Sequence, residues 1–232
     1  MLSAFVAVLA VLFILVAWPS VYWAYPIEAT VVDKDTSKPV VGAVAVANWD
    51  IVNGFPETSP VAELAIEESV TDKHGHFHLA GWGPKFLFFH GQVDTTAPKI
   101  VIYKPGYMVS VHYNNYVDKR GHWRVRAASD WNSKKIGLRA IGDSLTKNGH
   151  QLRELNNELY YVTQFAEGCY WQKIPEILKA IIKEENRLER LDPVTYSKPN
   201  TTVDVLLASN ASYTRRISST CISPKQFIEG LR

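Results

Sequence analysis

With 232 residues, 47% of them hydrophobic and 21% charged, the chain is ordinary globular material, long enough for one sizeable core and a smaller second unit rather than a disordered tract. A formal charge of +2, with Lys and Arg scattered along the chain, excludes the strong basic field that would point to nucleic acid. The two cysteines, Cys169 and Cys221, have no CxxC or His-Cys zinc spacing; they are either a disulfide or two buried thiols, and an extracytoplasmic location would favour the bridge.

The first element runs from Leu2 to Trp18 as LSAFVAVLAVLFILVAW, without a charge and about long enough to cross the hydrocarbon layer as a helix. Trp18, Tyr22, Trp23 and Tyr25 follow at once, and bilayer interfaces favour aromatics in that position. A cleaved signal needs small residues before the cut. Tyr22-Trp23-Ala24 and Leu15-Val16-Ala17 put large ones there, so residues 1–25 are expected to be a retained anchor or an uncleaved signal. No cysteine in this stretch could take a lipid. The sparse charges that follow, Glu28, Asp33 and Lys34, say almost nothing about orientation.

Residues 26–141 show short apolar alternation broken by turn residues, which predicts an antiparallel sandwich of about seven strands. Ile27, Ala29 and Val31 share one strand face, and Val44 and Val46 lie opposite the small Ala43, Ala45 and Ala47. Further strands are expected through Ser69-Val70, Phe77-Leu79, Ile100-Ile102, Val109-Tyr113, Trp123-Val125 and Ile136-Leu138. Asp72-Lys73-His74-Gly75 is a turn signal that would let Val70 and Phe77 face one core across a hairpin. Lys104-Pro105-Gly106-Tyr107 has the residues of a type II turn. Asn53 to Ala65, with Pro56 and Pro60, is expected to be the longest loop.

After Ile141 the apolar period lengthens. Leu152, Leu155, Leu159 and Val162 form one helical stripe; Ile174, Ile177, Leu178, Ile181 and Ile182 form a second, with Pro175 suited to a first turn. A helical hairpin over 142–192 is expected, then an irregular tail over 193–232 in which Val203–Leu207 docks and Ser223-Pro224 starts a last short helix.

Three segments, DKDTSKPVVGAVAV from Asp33, SVTDKHGHFHLAGWGP from Ser69 and KIVIYKPGYM from Lys99, resemble the carboxypeptidase-regulatory-like (transthyretin/prealbumin-like) domain over Ile27 to Tyr113. The Trp82-Gly83-Pro84-Lys85 run and the KPGY turn are similar to a branch found in uncharacterised bacterial envelope proteins, often lipoproteins. What the resemblance implies is a mainly β, seven-stranded prealbumin-like (Ig-like) sandwich in the periplasm, and no particular activity. Pro39 to Asp50, PVVGAVAVANWD, also resembles the early strands of intradiol ring-cleavage dioxygenases, which hold iron with two tyrosines and two histidines. Tyr103, Tyr107, His76 and His78 are the positions that comparison offers, but the family's proline-led His-x-His segment is missing. The C-terminal Tyr-Arg-Gly-Ser run of hydroxyisourate hydrolase is missing too.

For chemistry, His74, His76 and His78 are the nearest approach to a metal constellation, although Phe77 and Leu79 should take the inward face and turn His76 and His78 outward. Neither HExxH, HxxE nor GxSxG occurs; Ser144 has no local His and Asp arrangement beyond chance, and Cys169 has no His beside it. Gly81 and Gly83 are followed by Pro84 rather than by a helix start, so no phosphate loop is expected. Trp49, Trp82, Trp123, Trp131 and Trp171 are mostly expected as core fillers, some of which could join Tyr113 and Tyr116 in a stacking platform for glycan or peptide. The Asn200 and Asn210 tripeptides would matter only in a eukaryotic secretory route. The expectation is a membrane-anchored, extracytoplasmic structural or binding module without catalytic residues or cofactor. Its expected partners are the membrane through residues 2–18 and another envelope protein or a glycan.

Overall fold

The computed structural model describes residues 20–53, 59–87, 91–116, 127–164, 169–196 and 221–231. The apolar segment Leu2–Trp18, the Trp123-Val125 strand, Val203–Leu207, Asn200 and Asn210 lie outside them. No helix among the described residues is long and apolar enough to cross a membrane.

The structure is mainly β. Ten strands are described: β1 (Ser20–Ala24), β2 (Ile27–Asp33), β3 (Val44–Val52), β4 (Pro60–Val70), β5 (His76–Leu79), β6 (Trp82–Leu87), β7 (Gln92–Val93), β8 (Lys99–Tyr103), β9 (Ser110–His112) and β10 (Lys134–Leu138). Four α-helices follow: α1 (Leu145–Gln164), α2 (Pro175–Leu191), the single turn α3 (Pro193–Tyr196) and α4 (Pro224–Leu231), with a 3₁₀ turn over Tyr170–Lys173.

The strands form a sheet ordered β10-β2-β5, a second sheet ordered β4-β3-β8-β9 with β7 also on β3, and a separate two-stranded ribbon, β1-β6. Pairing is antiparallel except for β10, which runs parallel to β2 with Ile136 beside Val31. The strands of the second sheet lie between β2 and β10 in the chain and supply the long crossover that a parallel neighbour needs in place of a hairpin, which permits this departure from an all-antiparallel expectation.

Strand β3 explains the layering. Its alternate side chains Ala45, Ala47 and Trp49, with Ala43 just before it, join Ile27, Ala29, Val31, Phe77, Leu79, Ile136 and Leu138 in the core between the two sheets. Val44 and Val46 point the other way and pack with Val101, Tyr103, Leu155, Leu159, Ile177, Leu178 and Ile181 beneath the helices. The central sheet is therefore buried on both faces, and the alanines allow close approach on one of them. The stripes of α1 and α2 are the surfaces that cover it: Leu152, Leu155, Leu159, Val162, Ile177, Leu178, Ile181 and Ile182 are all buried.

Two turns work as their residues dictate. Asp72 Oδ1 accepts the N–H groups of His74 (2.8 Å) and His76 (2.9 Å), and Gly75 adopts φ +76° where a Cβ would stand 2.3 Å from the Val31 carbonyl oxygen. The Tyr107 N–H closes the KPGY turn on Lys104 O at 3.0 Å.

Several expectations need correction. The segment Asn53–Ala65 is not one loop, since Pro60 opens the eleven-residue strand β4. Proline is tolerated there because the first residue of a strand can do without a ladder N–H. Val70 and Phe77 do not share a core: β5 pairs with β2 in the other sheet, leaving Val70 42% exposed while Phe77 is buried. The Asp72–Gly75 turn is an arch between sheets. Strand β9 covers only Ser110–His112. Ser20–Ala24, inside the stretch assigned to the anchor, is a strand paired with β6. In the tail, Ser223 Oγ accepts the Gln226 N–H at 3.2 Å at the start of α4, whose Ile228 is buried.

Candidate functional site

The alternation of β5 fixes the histidines. Phe77 and Leu79 are buried, whereas His76 and His78 are exposed on the outer face of the first sheet. His78 Nδ1 lies 3.1 Å from Glu28 Oε1 on β2, and the His74 and His76 rings are 6.1 Å apart. Among the described residues no three His, Cys, Asp or Glu side chains are grouped so as to hold a metal ion. The tyrosines of the dioxygenase comparison lie elsewhere. Tyr103 is buried under the helices, where desolvation drives its phenol far up, while Tyr107 packs beside the core between the sheets, pushed up by burial and by the Asp33 carboxylate. Four residues that would have to converge on one iron are thus distributed over different layers of the fold.

The tryptophans also divide. Trp49 is buried between the sheets with Trp82 edge-on against it, centroids 5.3 Å apart at 86°, and Trp171 is buried in the helical layer. Trp131 is half-buried: its Nε1 donates to Tyr113 O at 2.8 Å, and the His112 ring lies 4.2 Å from it. Tyr113 and Tyr116 are exposed nearby in sequence. Asn114 holds this edge together. Its Nδ2 donates to Ala97 O (2.9 Å) and Ala128 O (3.0 Å), and its Oδ1 accepts the Tyr116 and Asp130 N–H groups, both at 3.1 Å. The amide has every donor engaged, so the two segments it joins present their aromatics from a fixed base.

A third group was hidden in the sequence. Asn48 and Asp50 share a face of β3, Asp50 stands opposite Glu63 of β4, and Asn48 stands opposite Lys99 of β8. Glu63 is only 2% exposed. Burial, then the neighbouring Asp50 charge, pushes its carboxyl well above the ordinary value. Asn48 Nδ2 donates to Asp50 Oδ1 at 2.7 Å, and Lys99 Nζ donates to Glu158 O of α1 at 2.9 Å. The Tyr170 hydroxyl donates to the Glu63 main-chain carbonyl. Chemically the group places a carboxyl that favours its protonated form more than an exposed one does at the joint between central sheet and helices. The signal that could have found it is Asn48 and Asp50, two polar residues at strand spacing on an otherwise apolar strand.

An open cleft of about 510 Å³ lies between the Lys104–Gly106 turn and α2. Its cations are largely committed: Arg187 chelates Glu184 (2.6 and 2.8 Å), Lys179 pairs with Glu176 (2.7 Å), and Lys104 Nζ donates to Val41 O. Cys169 and Cys221 are joined as a disulfide, with Cα atoms 5.6 Å apart, tying the 3₁₀ turn to the start of α4.

No protein-family model matches the chain, and no curated protein matches it. Among solved structures, 3-chlorocatechol 1,2-dioxygenase from Rhodococcus opacus 1CP is similar over 53% of this chain and 62% of its own, at 16% identity and a TM-score of 0.33. Chlorocatechol 1,2-dioxygenase from Pseudomonas putida is similar over 50% and 60%, at 12% identity and a TM-score of 0.28. A 9R-lipoxygenase from Cyanothece PCC8801 is covered over 29% of its length, at 13% identity and a TM-score of 0.26. The chain spans less than two thirds of each of these proteins, and likenesses this slight carry no functional argument.

Proposed function

We propose that this chain is a membrane-tethered, extracytoplasmic structural or binding module without a catalytic role: a prealbumin-like sandwich of the carboxypeptidase-regulatory-like kind, covered by helices. The observation that carries the reading is continuity. The uncharged run Leu2–Trp18 ends two residues before β1, and β1 is hydrogen-bonded into the ribbon with β6, so tether and folded domain are joined without a linker. The Cys169–Cys221 disulfide supports an oxidising compartment, because such bridges persist outside the cytoplasm. The rigid edge of Tyr113, Tyr116 and Trp131 supports contact with a glycan or another envelope protein over a role in chemistry.

The test is fractionation of the full chain beside a chain lacking residues 1–18. The full chain should stay in the membrane pellet through alkaline carbonate and high salt, and the shortened chain should be released. Extraction of the full chain by carbonate would overturn the tether.

A further inference from the structure

We infer that the outer face of the β1-β6 ribbon is a membrane-docking surface that lies in the headgroup layer and fixes how the domain stands on the bilayer; this rests on the tethered reading above. The ribbon has its polarity inverted. In an exposed two-stranded ribbon the charged side chains are expected to face water and the apolar ones to face the core. Here Val21 is 39% exposed, Trp23 48%, Tyr25 55% and Phe86 56%. Val21 and Phe86 stand directly opposite one another in the register, so they share a face. Tyr22 and Trp82 pack against the inter-sheet core instead. Lys85, paired with Tyr22, is drawn inward as well: its Nζ lies 5.0 Å from the Trp82 ring centre and donates to Leu64 O at 2.6 Å. The one lysine of the ribbon is therefore spent inside, while its large apolar residues face out.

Two features identify lipid as the occupant. Trp and Tyr with an apolar body and a polar tip are the side chains that headgroup layers select. Position gives the second: Val21 follows Trp18 by three residues, which at roughly 3.5 Å per residue keeps it within about 10 Å of the end of the apolar run. A headgroup layer is about 5–8 Å deep on each side of the hydrocarbon, so a domain tethered this closely cannot hold the ribbon far from it. Gly83 is part of the construction. A Cβ there would stand 2.5 Å from the Trp23 Cβ, so only glycine lets β6 approach the backbone that carries Trp23.

The full chain, reconstituted in phosphatidylcholine vesicles whose acyl chains carry bromine just below the headgroups, tests this through tryptophan quenching. Trp18→Phe and Trp23→Phe should each lower the quenched fraction relative to the unaltered chain. Phe86→Asp, which leaves every tryptophan in place, should lower quenching through Trp23, so that adding Trp23→Phe to it has no further effect. If Trp18→Phe lowers quenching while Trp23→Phe and Phe86→Asp do not, the tether stands but the ribbon faces a protein partner or a second copy, and the proposal is overturned. If no variant changes quenching, the chain is not inserted, and the tethered reading fails with it.

Discussion

Glu63 and Glu68 both lie on β4, which Pro60 opens, each near the helical layer, and burial is the chief cause that pushes both carboxyls above the ordinary 4.5, Glu68 to about 7. The folded chain therefore holds protons that the unfolded chain releases. That stabilisation is complete below about pH 4.5 and is lost as pH rises through the folded values. The urea midpoint should fall between about pH 5 and about pH 8, and Glu63→Gln should flatten the slope and raise the midpoint at neutral pH. An unchanged slope in Glu63→Gln would show that the carboxyl is ionised in the fold. Asn114 gives a second residue-scale prediction. Asn114→Ala leaves two carbonyls and two N–H groups without their partner, and should cost roughly 2–4 kcal/mol in chemical denaturation.

At the scale of elements, α2 depends on the sheet for its cap. Ile174 precedes it with no side-chain cap of its own, and Glu68 of β4 supplies one instead, accepting the Glu176 and Ile177 N–H groups, both at 2.8 Å. Glu68→Ala should cost about 1–2 kcal/mol, because the N-terminal donors lose their acceptor. Equal urea midpoints for Glu68→Ala and the unaltered chain would remove the cap from the account. Truncating the stripe that α1 lays on the sheet is more damaging. Leu155 is fully buried, and Leu155→Ala should cost about 2–5 kcal/mol. The helices were legible in the sequence because local periodicity alone decides which of their faces is apolar, as Leu152, Leu155, Leu159 and Val162 show. Strand β4 was not. Pro60 and the acidic Glu63, Glu67 and Glu68 look like loop residues until β3 lies beside them, and the pairing of Asp50 with Glu63 is a long-range fact that no window along the chain contains. For the same reason the outward turn of His76 and His78 could be expected from Phe77 and Leu79, whereas the buried carboxyl could not.

Taken whole, the molecule is two sheets and a helical layer stacked about the alanine-rich strand β3, stapled late in the chain by Cys169–Cys221 across 52 residues. Loop closure over that separation implies about 4 kcal/mol, so Cys169→Ser with Cys221→Ser should lower stability by up to that amount; no change would mean the bridge constrains nothing. The inverted ribbon belongs at this scale too: its exposed aromatics would be a liability in water, and the proposed docking would cover them with lipid. The central claim is that the domain stands outside the cytoplasm on its own tether, and protease treatment of intact spheroplasts making the full chain tests it most directly. The account predicts that added protease digests the domain without lysis, leaving a membrane-retained N-terminal stub. Full protection until the cells are lysed would contradict it.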